Sequence, residues 1–313
     1  MSRILITTST FDMANFHERK AVEAAGYELA LNPYGRRLTG PDVEALLTGD
    51  VVAMIAGVEP LTAKALKAAP ALKVIVRCGA GLDSVDLDAA RSLGISVLST
   101  PDAPTLAVAE LTVAHILSLT RRVAECDRSM RAGKWQQLTG SLISRQTIGI
   151  VGFGRIGRKV AQLLSAFEAK LLACDVADVG AVSGSPGAPE VLPLAALLSR
   201  SDIVTLHVPY SATTHHLVDA SAIAGMRRGA LLVNVARGGL VDEQALLQAL
   251  RSGQLGGAAL DCFEQEPYAG QLLECENVQA TAHMGSYSRE ARALMEAEAS
   301  AALVSFLRAQ SLL

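Results

Sequence analysis

The chain has 313 residues, half of them hydrophobic, and a formal net charge of −3. This length suits about two domains of ordinary size, and the slightly acidic balance provides no basic field for nucleic acid or an anionic membrane. The five cysteines lie apart without C-x-x-C spacing, which argues against a disulfide framework and against a metal site.

The first residues, MSRILITT, carry one arginine before a strand-like run and lack the apolar core and cleavage pattern of a signal peptide. The longest apolar stretch, residues 104–120, contains Glu110 and His115, which favours a buried helix over a membrane span. We therefore expect a cytoplasmic protein that binds neither nucleic acid nor a membrane.

The first hundred residues alternate short β-like runs with helical patterns. Five runs have the composition of strands, namely ILITT, YELALN, VVAMIAG, LKVIVRCG and ISVLST. Strands that alternate with helices predict an α/β fold with a doubly wound parallel sheet, here of the flavodoxin-like kind. The loops at the carboxyl ends of such strands are expected to face the ligand.

One of these loops contains Cys78, Gly79, Ala80 and Gly81. Its two glycines can expose backbone N–H groups to the anionic group of a substrate, so these four residues are candidates for substrate binding. A plain strand-to-helix turn is the alternative, and the loop taken by itself favours that alternative.

One long helix is predicted from Pro104 to Ala132, because apolar residues occur around most of its surface. A helix that is apolar on most sides is buried on most sides. We expect it to connect two αβ units and to provide a contact for a second subunit. His115 falls within this helical pattern, away from the predicted strand ends.

The most informative stretch, residues 147–175, reads as strand, glycine turn, helix, strand and acidic residue. Gly152, Gly154 and Gly157 have G-x-G-x-x-G spacing. The first glycine permits a tight turn, the second lets the backbone approach a pyrophosphate, and the third allows close packing of helix on strand. The spacing alone is weak evidence, but its position between strand and helix predicts a dinucleotide site at the helix N-terminus.

Asp175 ends the second strand of this unit. A carboxylate at that point accepts hydrogen bonds from the ribose hydroxyls of NAD and repels the 2′-phosphate of NADP. Val176 and Ala177 follow, so the next residues provide no arginine for that phosphate. The sequence therefore predicts NAD as the cofactor.

The rest of the chain continues the αβ alternation. A Gly/Ser/Pro-rich loop at residues 179–189 and a helix near residues 192–201 precede strands at IVTLHV, ALLVNVA, LGGAALD and VQATAH, and a helix at residues 288–309 is expected to return to the first domain. We predict a substrate domain of residues 1–100 plus 286–313 and a Rossmann NAD-binding domain of residues 101–285, with a cleft between them.

Three strand ends in the second half carry ionisable residues, where an open α/β sheet places its chemistry. They are Arg237, the acidic segment 261–266 and His283. Taken one at a time, each also has a purely structural explanation. Arg237 could form a surface salt bridge, the acidic segment could be a solvated loop, and His283 could be a hydrogen-bonded structural histidine. Hydride transfer from a secondary alcohol, however, needs a base that works near pH 7, a carboxylate that orients it and a cation for the acid group of the substrate.

Three further histidines in the second half are less persuasive as catalytic groups. His207 ends a strand, where its backbone can line the cofactor site, whereas His215 and His216 follow a turn and are expected to face solvent.

Five ordered segments resemble the D-isomer-specific 2-hydroxyacid dehydrogenases, the group that includes phosphoglycerate dehydrogenases and glyoxylate/hydroxypyruvate reductases. They are GFGRIG with Asp175, LHVPYSATTHHLV, VNVARGGLVDEQAL, AALDCFEQEP and HMGS. The resemblance spans nearly the whole chain. It implies an NAD-dependent enzyme that interconverts a small D-2-hydroxy acid and its 2-oxo acid, of the 3-phosphoglycerate, glycerate/hydroxypyruvate or glycolate/glyoxylate type.

The resemblance also implies roles for single residues. Arg237 would clamp the substrate carboxylate, His283 would be the acid/base, and both would contact the substrate. Glu266, rather than Glu264, would be the partner of His283, because Asp261 matches a position near the nicotinamide. Motif and resemblance together predict cofactor contacts at Gly152, Gly154, Arg155, Ile156, Gly157, Asp175, His207, Val208, Pro209, Thr214, Val235, Ala236, Arg237, Asp261, His283, Gly285 and Ser286. No metal is expected, and typical members are homodimers.

Two departures from the family concern the substrate. Residues 102–105 read DAPT where many members have an asparagine motif, and residues 56–60 read AGVEP where phosphoglycerate enzymes often place an arginine. Both argue against a phosphorylated substrate. The alternative function is a nucleotide-sensing corepressor, since the C-terminal-binding proteins resemble the chain in these motifs and act as scaffolds, although such a scaffold is expected to carry disordered tails.

Overall fold

The computed structural model describes residues 2–177 and 188–313, which belong to two compact units. The first unit contains residues 2–104 and Ser286–Leu313, and the second contains Thr105–Gly285. Most of the loop predicted at residues 179–189 lies outside the described residues. Within the described ranges, no helix is long and apolar enough to cross a membrane.

The strands and helices alternate along the chain. The strands are β1 (Arg3–Ile6), β2 (Glu28–Leu31), β3 (Val51–Ala56), β4 (Val74–Arg77), β5 (Ser96–Ser99), β6 (Thr147–Val151), β7 (Lys170–Cys174), β8 (Glu190–Val191), β9 (Ile203–Leu206), β10 (Ala230–Asn234), β11 (Leu255–Leu260) and β12 (Val278–Ala280). The α-helices are α1 (Arg19–Ala24), α2 (Gly40–Leu46), α3 (Ala63–Lys67), α4 (Leu87–Ser92), α5 (Thr105–Arg121), α6 (Val123–Arg131), α7 (Arg155–Ser165), α8 (Leu194–Arg200), α9 (Ala220–Ala224), α10 (Glu243–Ser252) and α11 (Arg289–Ala309).

The first unit is built on a five-stranded parallel sheet with the order β2-β1-β3-β4-β5. This is the strand order of flavodoxin-like sheets. Every residue of β4 is buried, as expected for a parallel strand with helices on both faces. The last helix packs on this sheet, because Met295, Ala299 and Leu303 share an apolar cluster with Ile4 and Val74.

The second unit contains a seven-stranded parallel sheet with the order β12-β11-β10-β9-β6-β7-β8. Strand β6 pairs with both β7 and β9, so the chain reverses its direction of strand addition at β6. Open α/β sheets bind ligands at such a switch point, beyond the carboxyl ends of the strands. The two parallel sheets confirm the predicted α/β class.

The helix predicted from Pro104 to Ala132 is in fact two helices, so that prediction was wrong. The break is at Arg122, which has φ +54°. Ser141 N–H donates to the carbonyl of Thr120 at 2.9 Å, and Gly140 packs directly on that carbonyl. The carbonyl of Thr120, in the last turn of α5, thus bonds a later segment of the chain. None of the residues of α6, all of which the structure describes, is buried.

Candidate active site

The glycine turn after β6 lies at the switch point of the second sheet. Gly152 has φ +90°, and a Cβ there would lie 2.6 Å from the carbonyl of His207, which follows β9. A Cβ on Gly157 would overlap the carbonyl oxygen of Gly152. Both positions therefore need a residue without a side chain, and together they place the start of α7 beside β6 and β9.

Gly154 meets a different requirement. It caps the N-terminus of α7, and no described atom lies within 4 Å of a Cβ built on it. Open space above the turn, next to the N–H groups of Arg155 and Ile156 at the helix start, fits the pyrophosphate of a dinucleotide. The turn is thus suited to NAD by its shape and by its donors.

Asp175 connects the end of β7 to this turn. One carboxylate oxygen accepts from the N–H of Phe153 at 2.6 Å, and the other accepts from the N–H of Ala177 at 2.9 Å. Each oxygen keeps a further lone pair, so the ribose hydroxyls of NAD can still bind. The carboxylate therefore holds the glycine turn and can also contact the cofactor.

Residues 207–209 run along the other side of the turn. His207 Nε2 is 3.0 Å from Thr205 Oγ1, while Nδ1 is buried without a hydrogen-bond partner among the described residues. Burial lowers the pKa of His207 to about 3, so the ring is neutral at physiological pH. Thr214 Oγ1 donates to the carbonyl of Pro209 at 2.8 Å, which shapes the loop after β9.

The buried side chain of Asn234 builds the turn that carries Arg237. Its amide donates to the carbonyl of Arg237 at 2.8 Å and accepts from the N–H of Ala236 at 3.1 Å. Arg237 Nη1 donates to the carbonyl of Ala236 at 2.7 Å. A Cβ on Gly238, the next residue, would overlap the backbone of Phe263. The Arg237 turn and the loop after β11 therefore touch through their main chains.

His283 and Glu266 form an imidazole–carboxylate pair in the second unit. His283 Nδ1 is 2.9 Å from both oxygens of Glu266, and Glu266 Oε1 accepts from the N–H of Phe263 at 3.1 Å. Because Nδ1 is occupied by the carboxylate, Nε2 is the atom through which His283 can exchange a proton with a substrate.

Asp261 holds the turn that carries His283. Its carboxylate accepts from the Thr281 hydroxyl at 2.6 Å and from the N–H groups of Met284 and Gly285 at 2.8 Å each. His283 itself has φ +51°, in the left-handed region. The structure thus brings Arg237, Asp261, Glu266, His283 and Gly285 together in one unit, whereas Ser286 begins the segment that belongs to the first unit.

The candidate substrate loop lies in the first unit. Gly79 N–H donates to Thr100 Oγ1 at 2.8 Å, so this donor is already engaged within the unit. Cys78 is buried, and burial raises the pKa of its thiol to about 11. Ala80 is exposed and Gly81 partly exposed.

Two histidines have partners that the sequence did not suggest. His216, expected to face solvent, lies 2.8 Å through Nε2 from Glu264. His115, expected away from strand ends, lies 3.3 Å through Nε2 from Thr281, directly after β12. One feature of the sequence could have predicted a hydrogen-bond partner for His115. It lies among apolar residues of a predicted helix, and a buried polar side chain requires a partner.

A glycine turn at the switch point and an imidazole–carboxylate pair at the same edge of the sheet are features of nicotinamide-dependent dehydrogenases. Comparison with known proteins narrows this class. The family model of the D-isomer specific 2-hydroxyacid dehydrogenase NAD binding domain matches residues 113–285. The chain therefore belongs to this family, and NAD, which the sequence predicted, is confirmed as the cofactor.

The chain is also similar to individual members. It is 40% identical over 260 residues to the glyoxylate reductase of Thermofilum pendens, covering 80% of this chain and 77% of that protein. It is 39% identical over 255 residues to the D-3-phosphoglycerate dehydrogenase of Homo sapiens, covering 80% of this chain but only 48%, about half, of that protein. The crystal structure of the TT0316 protein from Thermus thermophilus matches with a TM-score of 0.86 and 35% identity, over 98% of this chain and 97% of that one.

Proposed function

We propose that the protein interconverts a small D-2-hydroxy acid and its 2-oxo acid, with His283 as the acid/base. The observation that carries this proposal is the pair of 2.9 Å contacts from His283 Nδ1 to Glu266. A carboxylate in that position fixes the ring orientation and leaves Nε2 to face a substrate. The Nε2 proton is then available for a substrate oxygen.

NAD, when bound at the glycine turn, would supply or accept the hydride. In reduction, His283 donates its Nε2 proton to the carbonyl oxygen of the 2-oxo acid as that oxygen gains negative charge, while Glu266 holds the ring through Nδ1. In oxidation, neutral His283 accepts the hydroxyl proton. Arg237 binds the substrate carboxylate, because its planar guanidinium can donate two parallel hydrogen bonds.

For the substrate, we propose an unphosphorylated acid of the glyoxylate or hydroxypyruvate type. Glu59 follows β3, is 1% exposed and accepts from the N–H of Gly57 at 2.9 Å and from the Thr7 hydroxyl. This buried carboxylate lies in the segment where the resemblance to phosphoglycerate enzymes would lead one to expect an arginine. A carboxyl group in place of an arginine provides no cation for a phosphate group.

We also propose a cytoplasmic homodimer. The second unit exposes several large apolar side chains in and after α6, with Trp135 84% exposed and Val123, Met130 and Leu142 also exposed. Large apolar side chains that stay exposed favour a contact with a second subunit. All five cysteines, each among the described residues, are free thiols, in keeping with a reducing compartment. A monomeric mass by light scattering would contradict the dimer.

Steady-state oxidation of NADH with a panel of 2-oxo acids tests the proposed reaction. We expect turnover with glyoxylate and hydroxypyruvate, and a lower kcat/KM with 3-phosphohydroxypyruvate. A preference for the phosphorylated acid would contradict the proposed substrate but not the reaction. NADH binding without turnover on any acid of the panel would instead favour the corepressor-like scaffold.

A further inference from the structure

A line of hydrogen bonds connects α5 to the turn that carries His283. His115, in the middle of α5, is 5% exposed, and its Nε2 is 3.3 Å from Thr281 Oγ1. The Thr281 hydroxyl is 2.6 Å from Asp261 Oδ1. The Asp261 carboxylate in turn accepts from the two backbone N–H groups that follow His283, at 2.8 Å each.

The direction of these hydrogen bonds follows from the number of protons. Thr281 has one hydroxyl proton, and a carboxylate can only accept, so this proton goes to Asp261. Thr281 Oγ1 must then accept from His115, whose Nε2 carries the proton of the neutral ring. Burial lowers the pKa of His115, in keeping with that neutral form, and the ring also hydrogen-bonds the side chain of Gln279.

The backbone conformation of the turn at His283 must be stabilised by neighbouring residues. Its φ of +51° lies in the left-handed region, which residues with a side chain rarely adopt. Such a backbone persists only where its surroundings hold it. Asp261 stabilises the turn through its hydrogen bonds with the two N–H groups after His283. Thr281, together with His115, fixes the orientation of the Asp261 carboxylate.

We propose that Thr281 and His115 are positioning residues for His283 and act through Asp261. This inference rests on the proposed role of His283 as the acid/base. When the Thr281 hydroxyl is lost, Asp261 can rotate away from the two N–H groups after His283. The imidazole then spends less time in the orientation that Glu266 and the substrate require.

Matched substitutions separate the hydrogen bond from the packing. Thr281→Val keeps the shape and removes the hydroxyl, and we expect kcat to fall about tenfold, as for the loss of one buried hydrogen bond. Thr281→Ser restores the hydroxyl and should recover most of kcat. His115→Leu should also lower kcat, while His115→Gln, which can place an N–H donor near the Nε2 position, should recover part of it.

Hydrogen exchange provides a measurement that does not depend on turnover. In the Thr281→Val protein without ligand, the amides of Met284 and Gly285 should exchange about tenfold faster than in the parent. Thr120→Val is the control, because Thr120 is also a buried residue of α5 and its hydroxyl donates to the carbonyl of Ile116 at 2.7 Å. We expect this variant to keep the parent's kcat and exchange rates.

Parent-like exchange and kcat in Thr281→Val would overturn the positioning role. Equal effects in Thr120→Val would also overturn it, because the loss would then be general to helix α5. If the parent reduced none of the 2-oxo acids, the proposed function would fail, and the exchange rates alone would decide whether this line of hydrogen bonds holds the turn.

Discussion

Gly238 and Phe263 touch through their main chains, and a Cβ on Gly238 would overlap the carbonyl group of Phe263. Gly238 directly follows Arg237, and the N–H of Phe263 donates to Glu266. Only glycine allows these two loops to approach so closely. The contact therefore sets the spacing between the arginine and the partner of His283.

Gly238→Ala should push the two loops apart. A displacement of about 1 Å in a catalytic group can reduce the rate about a hundredfold, and we expect a loss of kcat/KM of that order. Gly225→Ala is the control, since a Cβ there would make an ordinary contact of 3.4 Å with the carbonyl of Ala222. Parent-like kcat/KM in Gly238→Ala, measured with folding checked by thermal melting, would show that the contact does not position the site.

Local patterns in the sequence predicted the strands and the glycine turn, because β-branched runs and glycine spacing act over a few residues. They did not predict the break at Arg122, since it depends on Gly140 and Ser141 packing on the end of α5. The contact between His115 and Thr281 is also long-range. The pairing of His283 with Glu266 was expected only from the family resemblance, because spacing alone does not distinguish Glu266 from Glu264.

Arg237→Lys should lower kcat/KM although the positive charge is kept. An ammonium cannot form two parallel hydrogen bonds in one plane, and the loss of one charge-assisted bond of about 1.5–3 kcal/mol corresponds to roughly a 10- to 150-fold change. Arg227→Lys is a suitable control, because Arg227 pairs with Asp202, which precedes the amino end of β9. An unchanged kcat/KM for the 2-oxo acid in Arg237→Lys would remove Arg237 from the substrate site.

Asp175→Asn should weaken the preference for NADH over NADPH. The amide oxygen can still accept from the N–H of Phe153, so the hydrogen bond that holds the glycine turn is kept. The charge that repels a 2′-phosphate is removed. We expect the ratio of kcat/KM for NADPH to that for NADH to rise about tenfold, or roughly 1.4 kcal/mol. Asp219→Asn, a change at the N-cap of α9, should leave the ratio unaltered. Equal use of both cofactors by the parent would contradict the role given to Asp175.

His207 should make the protein less stable in acid. The unfolded chain binds a proton at this residue below about pH 6.5, whereas burial lowers its folded pKa to about 3. The unfolded state therefore binds more protons between these values, and the free energy of unfolding falls as the pH drops through that window. Between pH 7.5 and pH 5 we expect the parent to lose about 2 kcal/mol more than His207→Gln in urea unfolding. If the free energy of unfolding fell by the same amount in both proteins, His207 would take up a proton in the folded state as readily as in the unfolded chain.

Glu266→Gln tests the acid–base pair directly. The amide oxygen can still accept from His283 Nδ1, so the ring can keep its orientation while the negative charge beside it is removed. We expect kcat for reduction to fall about tenfold, as for the loss of one hydrogen bond to a charged partner. Oxidation of the 2-hydroxy acid should fall by a similar factor, because the same ring accepts the hydroxyl proton. Glu264→Gln is the matched control in the same loop, because Glu264 contacts His216 and its loss should leave both rates as in the parent. Parent-like rates in Glu266→Gln, or equal losses in both variants, would make Glu266 a structural residue of the loop even though the chain remains a member of the family.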